Sequence, residues 1–152
     1  MSEHPPKSIR ERGATLVELA IVVAIIVIIV TIAVARLSRA KGTAEDGSAI
    51  GSLHAIFAAQ VVARQSYGNF LPASDLVSRG LLDSTFHPMP VVRSGYRITE
   101  TGSGETLAYS AEPLSLEFGA RRFYMPAATG VIHYTDSGDP ADATSPVLGS
   151  GS

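Results

Sequence analysis

The chain has 152 residues, which is enough for one modest domain, and its formal net charge of −2 is too small to indicate a nucleic-acid partner. It contains no cysteine, which excludes disulfide bonds and thiolate metal sites but does not decide the compartment. The mean hydropathy of +0.22 conceals an uneven distribution, because the apolar residues are concentrated in one block near the N-terminus.

A polar segment, residues 1–13, precedes this block. Its three basic side chains are Lys7, Arg10 and Arg12. A secretory signal peptide is cleaved after its apolar region, whereas the small-residue junction here, Gly13–Ala14, lies before the apolar block. Cleavage at this junction would remove the leader and retain the whole apolar segment.

The apolar block runs from Leu16 to Ala35, and its only polar residues are Glu18 and Thr31. In a helix, about 20 residues with a rise of about 1.5 Å each span roughly 30 Å, the thickness of the hydrocarbon core of a bilayer. We therefore predict that residues 14–36 form a membrane-spanning helix. Basic residues flank both ends, so the positive-inside rule alone does not fix the orientation. A signal anchor with a cytoplasmic N-terminus is one interpretation, and the reverse topology stays open.

Glu18 has two interpretations. The free energy of inserting a carboxylate is unfavourable by about 2.5–3.5 kcal/mol near the centre of a bilayer and by less near its edge. A carboxylate in this segment is therefore expected to have a structural or functional role. One role is local, because Thr15 and Glu18 have the spacing of a capping box, and an acidic group in the first turn suits the helix dipole. The second role depends on processing: cleavage after Gly13 would create an amine on Ala14, and Glu18 could pair with it in the same chain or in a neighbour.

The run GATLVEL, from Gly13 to Leu19, followed by a Val/Ile-rich span, resembles the class III signal sequence of type IV pilins and pseudopilins. This resemblance implies that a prepilin peptidase cleaves after Gly13 and methylates the new N-terminus, Ala14. It also implies that Glu18 acts in methylation or in the registration of subunits.

Two features differ from the pattern of that family. Most members have Phe at the position of Ala14, and many have a Gly near Val27 and a Pro near Ala35. Because no Gly or Pro falls between Ala14 and Lys41, we expect the helix to be continuous over that stretch. The candidate sites for loosening of the helix come later, at Gly42, Gly47 and Gly51.

Residues 37–66 are predicted to continue the helix in amphipathic form. Apolar side chains at spacings of three and four residues form a stripe that we expect to pack on a sheet, namely Ile50, Leu53, Phe57 and Val61. Small residues are expected on the opposite face, namely Ser48, Ser52, Ala55 and Ala59. They would either allow close helix contacts in a filament core or form an ordinary exposed surface.

A globular head is predicted for residues 67–136, with a loop region rich in Gly and Pro and a short helical turn around residues 74–79. About four antiparallel strands follow, in which Tyr96 and Ile98 should share one face. We expect these strands at Tyr96–Thr101, Thr106–Ala111, Arg122–Met125 and Val131–Thr135. The predicted fold class is α+β, a long N-terminal helix packed on a small antiparallel sheet, which is also the fold that the resemblance implies.

The last segment, residues 137–152, is rich in Gly, Ser, Pro and Asp, and we expect it to be flexible. Asp136, Asp139 and Asp142 have a spacing similar to that of the acidic ligands of a calcium loop. However, the glycine and the final glutamate of an EF-hand are missing, so a solvated tail is the favoured interpretation of these aspartates.

No catalytic pattern stands out. The four histidines lack metal-ligand spacing, and we find no nucleophile motif and no phosphate-binding loop. We therefore predict no enzymatic activity and no cofactor. The function expected from the resemblance is a structural subunit of a type IV pilus or pilus-like filament. A pseudopilin of a type II secretion system is the alternative in the same class, and a monomeric membrane-anchored binding module is the alternative in a different class.

The resemblance also implies partners and a location. The expected partners are further copies of this chain and other pilins, a prepilin peptidase, an inner-membrane assembly platform and, before assembly, membrane lipid. No nucleic-acid partner is expected. The chain would cross the bacterial inner membrane once with its N-terminus in the cytoplasm, and would then enter an extracellular pilus or a periplasmic pseudopilus.

Overall fold

The computed structural model describes residues 15–115 and 121–149. Its first element, helix α1, is Leu16–Tyr67, a run of 52 residues. Thr15 caps the start of this helix, because its Oγ1 accepts a hydrogen bond from Glu18 N at 3.2 Å and its carbonyl oxygen accepts one from Leu19 N at 3.1 Å. The expected continuity of the apolar stretch is confirmed, and the helix also continues through Gly47 and Gly51.

The chain divides into two compact units, residues 1–37 and 38–152. In the second unit, α1 is followed by the short helix α2, Ala73–Ser78, and by an antiparallel sheet with the strand order β1-β2-β3-β4-β5. The strands are β1 Val91–Arg93, β2 Tyr96–Thr101, β3 Ala108–Pro113, β4 Arg122–Pro126 and β5 His133–Thr135. The fold class is therefore α+β, as predicted.

The core of the second unit lies between one face of α1 and one face of the sheet. Alternation along β2 places Tyr96 and Ile98 in this core and leaves Arg97 exposed, as predicted. The helix contributes mostly small side chains, whereas the sheet contributes large ones. The core side chains on α1 are Ala49, Ser52, Leu53, Ile56, Ala59, Gln60 and Ala63, and those on the sheet include Tyr96, Tyr109, Phe123 and Met125.

The buried face of α1 differs from the predicted stripe. Leu53 is fully buried, and Ile50 and Phe57 are partly buried against the core, but Val61 is 46% exposed, so its assignment to the packed face is wrong. Ser52 and Ala59, which we expected on the opposite face, are buried. At about 100° per residue, the buried face is centred about a quarter turn away from the predicted stripe. The sheet packs on that side because small helix residues leave room for its aromatic rings.

The strands agree with the prediction except in number, in two of their starts and in two of their ends: β3 ends two residues later than predicted, and β4 ends one residue later. β2 has the predicted bounds, but β1 was not predicted, so the sheet has five strands. β3 begins only at Ala108 because Gly104–Thr106 forms a 3₁₀ turn, which a capping box between Ser103 and Thr106 closes. β5 begins at His133, two residues after the predicted start.

Part of the segment predicted to be flexible is held against β5. Val147 forms an antiparallel bridge with His133, and Leu148 N donates to Ile132 O at 2.8 Å. The side chain of Leu148 packs against the core. The prediction of a flexible tail is therefore wrong for residues 145–148, because the apolar run that follows Ser145 has a surface to bury.

Candidate functional site

The structure describes two of the four residues of the predicted processing site. Gly13 and Ala14 lie outside the described residues. Thr15 and Glu18 are described, and they form the start of α1: Thr15 is the N-cap, and Glu18 lies in the first turn with its side chain exposed. The backbone half of the predicted capping box is therefore present.

The stretch of α1 from residue 16 to residue 37 carries a continuous apolar surface. Its large apolar side chains are between 49% exposed, at Val22, and 86% exposed, at Leu16. A surface of this size is unstable in water and requires lipid or other protein to cover it. Within the described part of the chain, α1 is the one helix long and apolar enough to cross a membrane.

The two polar residues between Leu16 and Ala35 differ in how their polar groups are satisfied. Thr31 Oγ1 lies 2.9 Å from Val27 O and 2.8 Å from Ile28 O, so the hydroxyl donates within its own helix. The carboxylate of Glu18 is not satisfied in this way, because the described residues offer it no ion pair. In an apolar environment this carboxylate needs a partner from outside the described part of the chain.

The predicted calcium candidates do not converge. Asp136 pairs with Arg121, whose Nε lies 2.9 Å from Asp136 Oδ1, while Asp139 Oδ2 accepts a bond from Ser137 at 3.3 Å. No group of three or more potential metal ligands occurs in residues 15–115 and 121–149. The spacing in the sequence therefore does not produce a calcium loop.

Asp142 instead closes a turn. Its Oδ1 accepts bonds from the backbone and the hydroxyl of Thr144, at 2.8 and 2.7 Å, and from Ser145 N at 3.0 Å. The hydrogen bonds from Thr144, followed by those from Ser145, lower the pKa of Asp142 below its usual value. This turn positions the segment that pairs with β5.

A buried polar network, which sequence reasoning missed, joins α1 to the head. Gln60 is fully buried; its Nε2 donates to Leu71 O at 2.6 Å and to Tyr109 Oη at 2.7 Å, and its Oε1 accepts from Leu71 N at 3.0 Å. Tyr109 Oη lies 3.0 Å from Glu100 Oε2, which also accepts from Ala73 N at 2.7 Å. The only signal in the sequence is a glutamine in a run of apolar and small residues.

A second contact of this kind lies nearer the start of the head. The hydroxyl of Tyr96, on β2, contacts the carboxylate of Asp46, on α1, and lies 2.7 Å from Arg121 O. Burial, followed by the hydrogen bond to Asp46, raises the pKa of Tyr96 above its usual value. Asp46 and Gln60 thus hydrogen-bond the second half of α1 to the sheet at two points.

Comparisons with protein-family models, curated proteins and solved structures gave no match to this chain. Its function is therefore inferred from its own residues.

Proposed function

We propose that this chain is a prepilin-like structural subunit, which is cleaved after Gly13, held in the membrane by α1 and polymerised through α1 into a pilus or pilus-like filament. The observation that carries this proposal is the exposed apolar surface of residues 16–37, in which the first turn places Glu18, a carboxylate with no ion pair among residues 15–115 and 121–149.

The apolar surface supports two successive environments for one helix. Lipid covers it in the monomer, because the segment has the length of a bilayer core. Helices of other copies would cover the same surface in a filament, where packing of apolar side chains and of small residues replaces lipid contacts. The core of the second unit supplies a folded head that such a filament would display.

Glu18 favours polymerisation over a role as a permanent anchor. In a simple anchor the carboxylate contributes only to the start of the helix, where it suits the helix dipole, and it costs up to about 2.5–3.5 kcal/mol in lipid. In a filament, a neighbouring cation can pair with the carboxylate. Leader cleavage after Gly13 would also supply a new amine, four residues before Glu18, with which this carboxylate can pair.

The test compares Glu18→Ala with Thr31→Val in the full chain. Both substitutions remove a polar group from the same apolar stretch, but Thr31 is satisfied inside its own helix. We expect Glu18→Ala to abolish filaments while the chain still accumulates in the membrane, and Thr31→Val to leave filament yield within about twofold of the wild type. Immunoblots of sheared filaments and of membrane fractions measure both quantities.

The alternatives give different outcomes in this experiment. A monomeric anchored module would keep its membrane level with either substitution, and the wild type would yield no sheared filaments. If Glu18→Ala formed filaments as well as the wild type does, the carboxylate would have no part in assembly.

A further inference from the structure

The last described segment covers one edge of the sheet. Residues 145–148, which we name the clip, run along β5 on the side that faces away from β4. Tyr134 N donates to Pro146 O at 2.9 Å, and Leu148 N donates to Ile132 O at 2.8 Å. The clip therefore uses backbone groups at this edge that β4 does not bond.

Side chains hold the clip at this edge as well as backbone groups. His133 Nδ1 lies 2.7 Å from Ser145 O and donates to it, because a carbonyl oxygen only accepts. Leu148 packs against the hydrophobic core, and Ile132 next to it is 5% exposed. Asp142 closes the turn before the clip, since its Oδ1 accepts a hydrogen bond from Ser145 N at 3.0 Å. The edge thus contacts both the backbone of the clip and the apolar side chain of Leu148.

Without the clip, β5 would be an open edge of the sheet. Such an edge presents unpaired N–H and C=O groups, which pair readily with strands of other molecules. Here these groups would be Tyr134 N and Ile132 O, with the apolar side chain of Ile132 beside them. The opposite edge of the sheet is protected in another way, because β1 has three residues and follows Pro90, which has no N–H group. At the β5 edge the clip provides this protection.

We propose that the β5 edge is a binding site for an extended apolar peptide, which this chain occupies with its own clip and thereby blocks to the clip of a second copy. Addition of a strand to a sheet edge draws affinity from main-chain hydrogen bonds and specificity from side-chain pockets, and the β5 edge offers both. The clip of a second copy is the occupant in trans, because it has the same sequence and meets the same contacts. This inference concerns the head alone and goes beyond the proposed function, since it holds whether or not the chain polymerises.

The connection between β5 and the clip favours occupation within one chain. Residues 136–144 join the two, and a short linker holds its ligand at an effective concentration in the millimolar range. At lower protein concentrations a second copy cannot compete with the clip of the same chain. The heads of different copies are therefore kept from exchanging clips, and release of the clip opens the site.

Amide hydrogen exchange of the full chain in detergent tests the binding site, because the N–H group of Tyr134 is bonded to the clip. In a chain truncated after Thr144, which lacks the clip, we expect this amide to exchange at least about tenfold faster than in the wild type. A synthetic peptide with the sequence of residues 142–149, added at about 5 mM, should restore the protection, whereas the same peptide with Leu148→Asp should not. Equal protection of the amide in both chains would overturn the proposal, and so would a truncated chain that the peptide does not protect.

Blocking is tested in chains of full length by saturation-transfer NMR, which detects weak binding of the same peptide. Leu148→Asp weakens the hold on the clip without shortening the chain, and the matched control, Leu114→Asp, places the same charge at a side chain that is 53% exposed and lies outside the clip. We expect the Leu148→Asp chain to bind the wild-type peptide at least about tenfold more strongly than the wild-type chain or the Leu114→Asp chain does.

Two outcomes of this second experiment would contradict the proposal. Equal binding of the peptide by the three chains would show that the clip blocks nothing. Loss of the folded head in the Leu148→Asp chain, read from near-UV circular dichroism, would overturn the proposal as well, because the clip would then be part of the folding core rather than the occupant of a site.

Discussion

Single polar residues in the second half of α1 have partners that are distant in the sequence but close in space. Gln60 reaches Leu71 and Tyr109, and Asp46 reaches Tyr96. A buried amide or hydroxyl that loses its partner costs about 1–3 kcal/mol, so these contacts fix how the second half of α1 packs on the sheet.

Gln60→Leu tests the first contact. The substitution keeps the volume roughly constant but removes the acceptor for Leu71 N and the donor to Leu71 O and Tyr109 Oη. We expect the free energy of unfolding to fall by about 1–3 kcal/mol, whereas Gln65→Leu, at an exposed position of the same helix, should change it by less than about 0.5 kcal/mol. Urea denaturation in detergent, followed by tyrosine fluorescence, measures both; equal effects would contradict the role of Gln60.

Tyr109 makes the stability of the head depend on alkaline pH. Burial, followed by the charge of Glu100, raises its pKa above the usual 10.0. The folded state therefore resists loss of this proton, and the resulting stability is fully present below the pKa of the unfolded chain and decreases as pH rises above it. Tyr109→Phe should make that decrease shallower, by up to about 1.4 kcal/mol per pH unit. Urea titrations from about pH 8 to pH 11 test this; parallel profiles for the two proteins would contradict it.

Whether the sequence reveals a side-chain contact depends on how many residues separate the two partners along the chain. The cap formed by Thr15 was predictable because its donor, Glu18 N, is three residues away. The partner of Gln60 on β3 is 49 residues away, and no local pattern indicates it. The aspartates of the last segment had a suggestive spacing, but their short side chains are used by adjacent donors.

Among the elements, the turn between β4 and β5 is in close contact with α1. Gly130 has a φ of +67°, and a Cβ at this position would lie 2.3 Å from the ring of Phe57. Both the backbone conformation and the available space therefore require glycine here. This contact also explains why Phe57 is only partly buried: its ring packs on the turn rather than on the centre of the sheet.

Gly130→Ala separates the two requirements when it is compared with Gly138→Ala. Gly138 has a φ of +82°, but a Cβ there meets nothing within 4 Å. We expect Gly138→Ala to cost about 1–2 kcal/mol from backbone strain and Gly130→Ala about 2–4 kcal/mol, because overlap with Phe57 adds to the strain. The comparison uses urea midpoints in detergent, and equal costs would show that the ring of Phe57 moves aside freely.

Elements with their own periodicity were predictable, and those defined by packing were not. β2 alternates buried and exposed residues and was predicted with the correct bounds, and α2 was displaced by only one residue. β1 has three residues, too few to show a period. The buried face of α1 was misassigned because its large side chains, Leu53 and Ile56, are outnumbered there by small ones, on which the aromatic rings of the sheet pack.

For the whole molecule, the central feature is a helix that belongs to two different environments. Its second half is packed on a sheet through Asp46, Gln60 and the core residues between them. Its first half has an apolar surface that the described residues leave uncovered. The proposed membrane insertion followed by polymerisation would account for both halves, because the head folds on one half while the other half would exchange lipid for helices of other copies.

The proposed processing at Gly13 would connect these two environments, and the intact mass of the protein in sheared filaments tests it most directly. The proposal predicts a single species that begins at Ala14, ends at Ser152 and carries one additional methyl group. Filaments built from the chain that retains Met1 would contradict the proposal, and so would a mature chain that begins after the apolar segment.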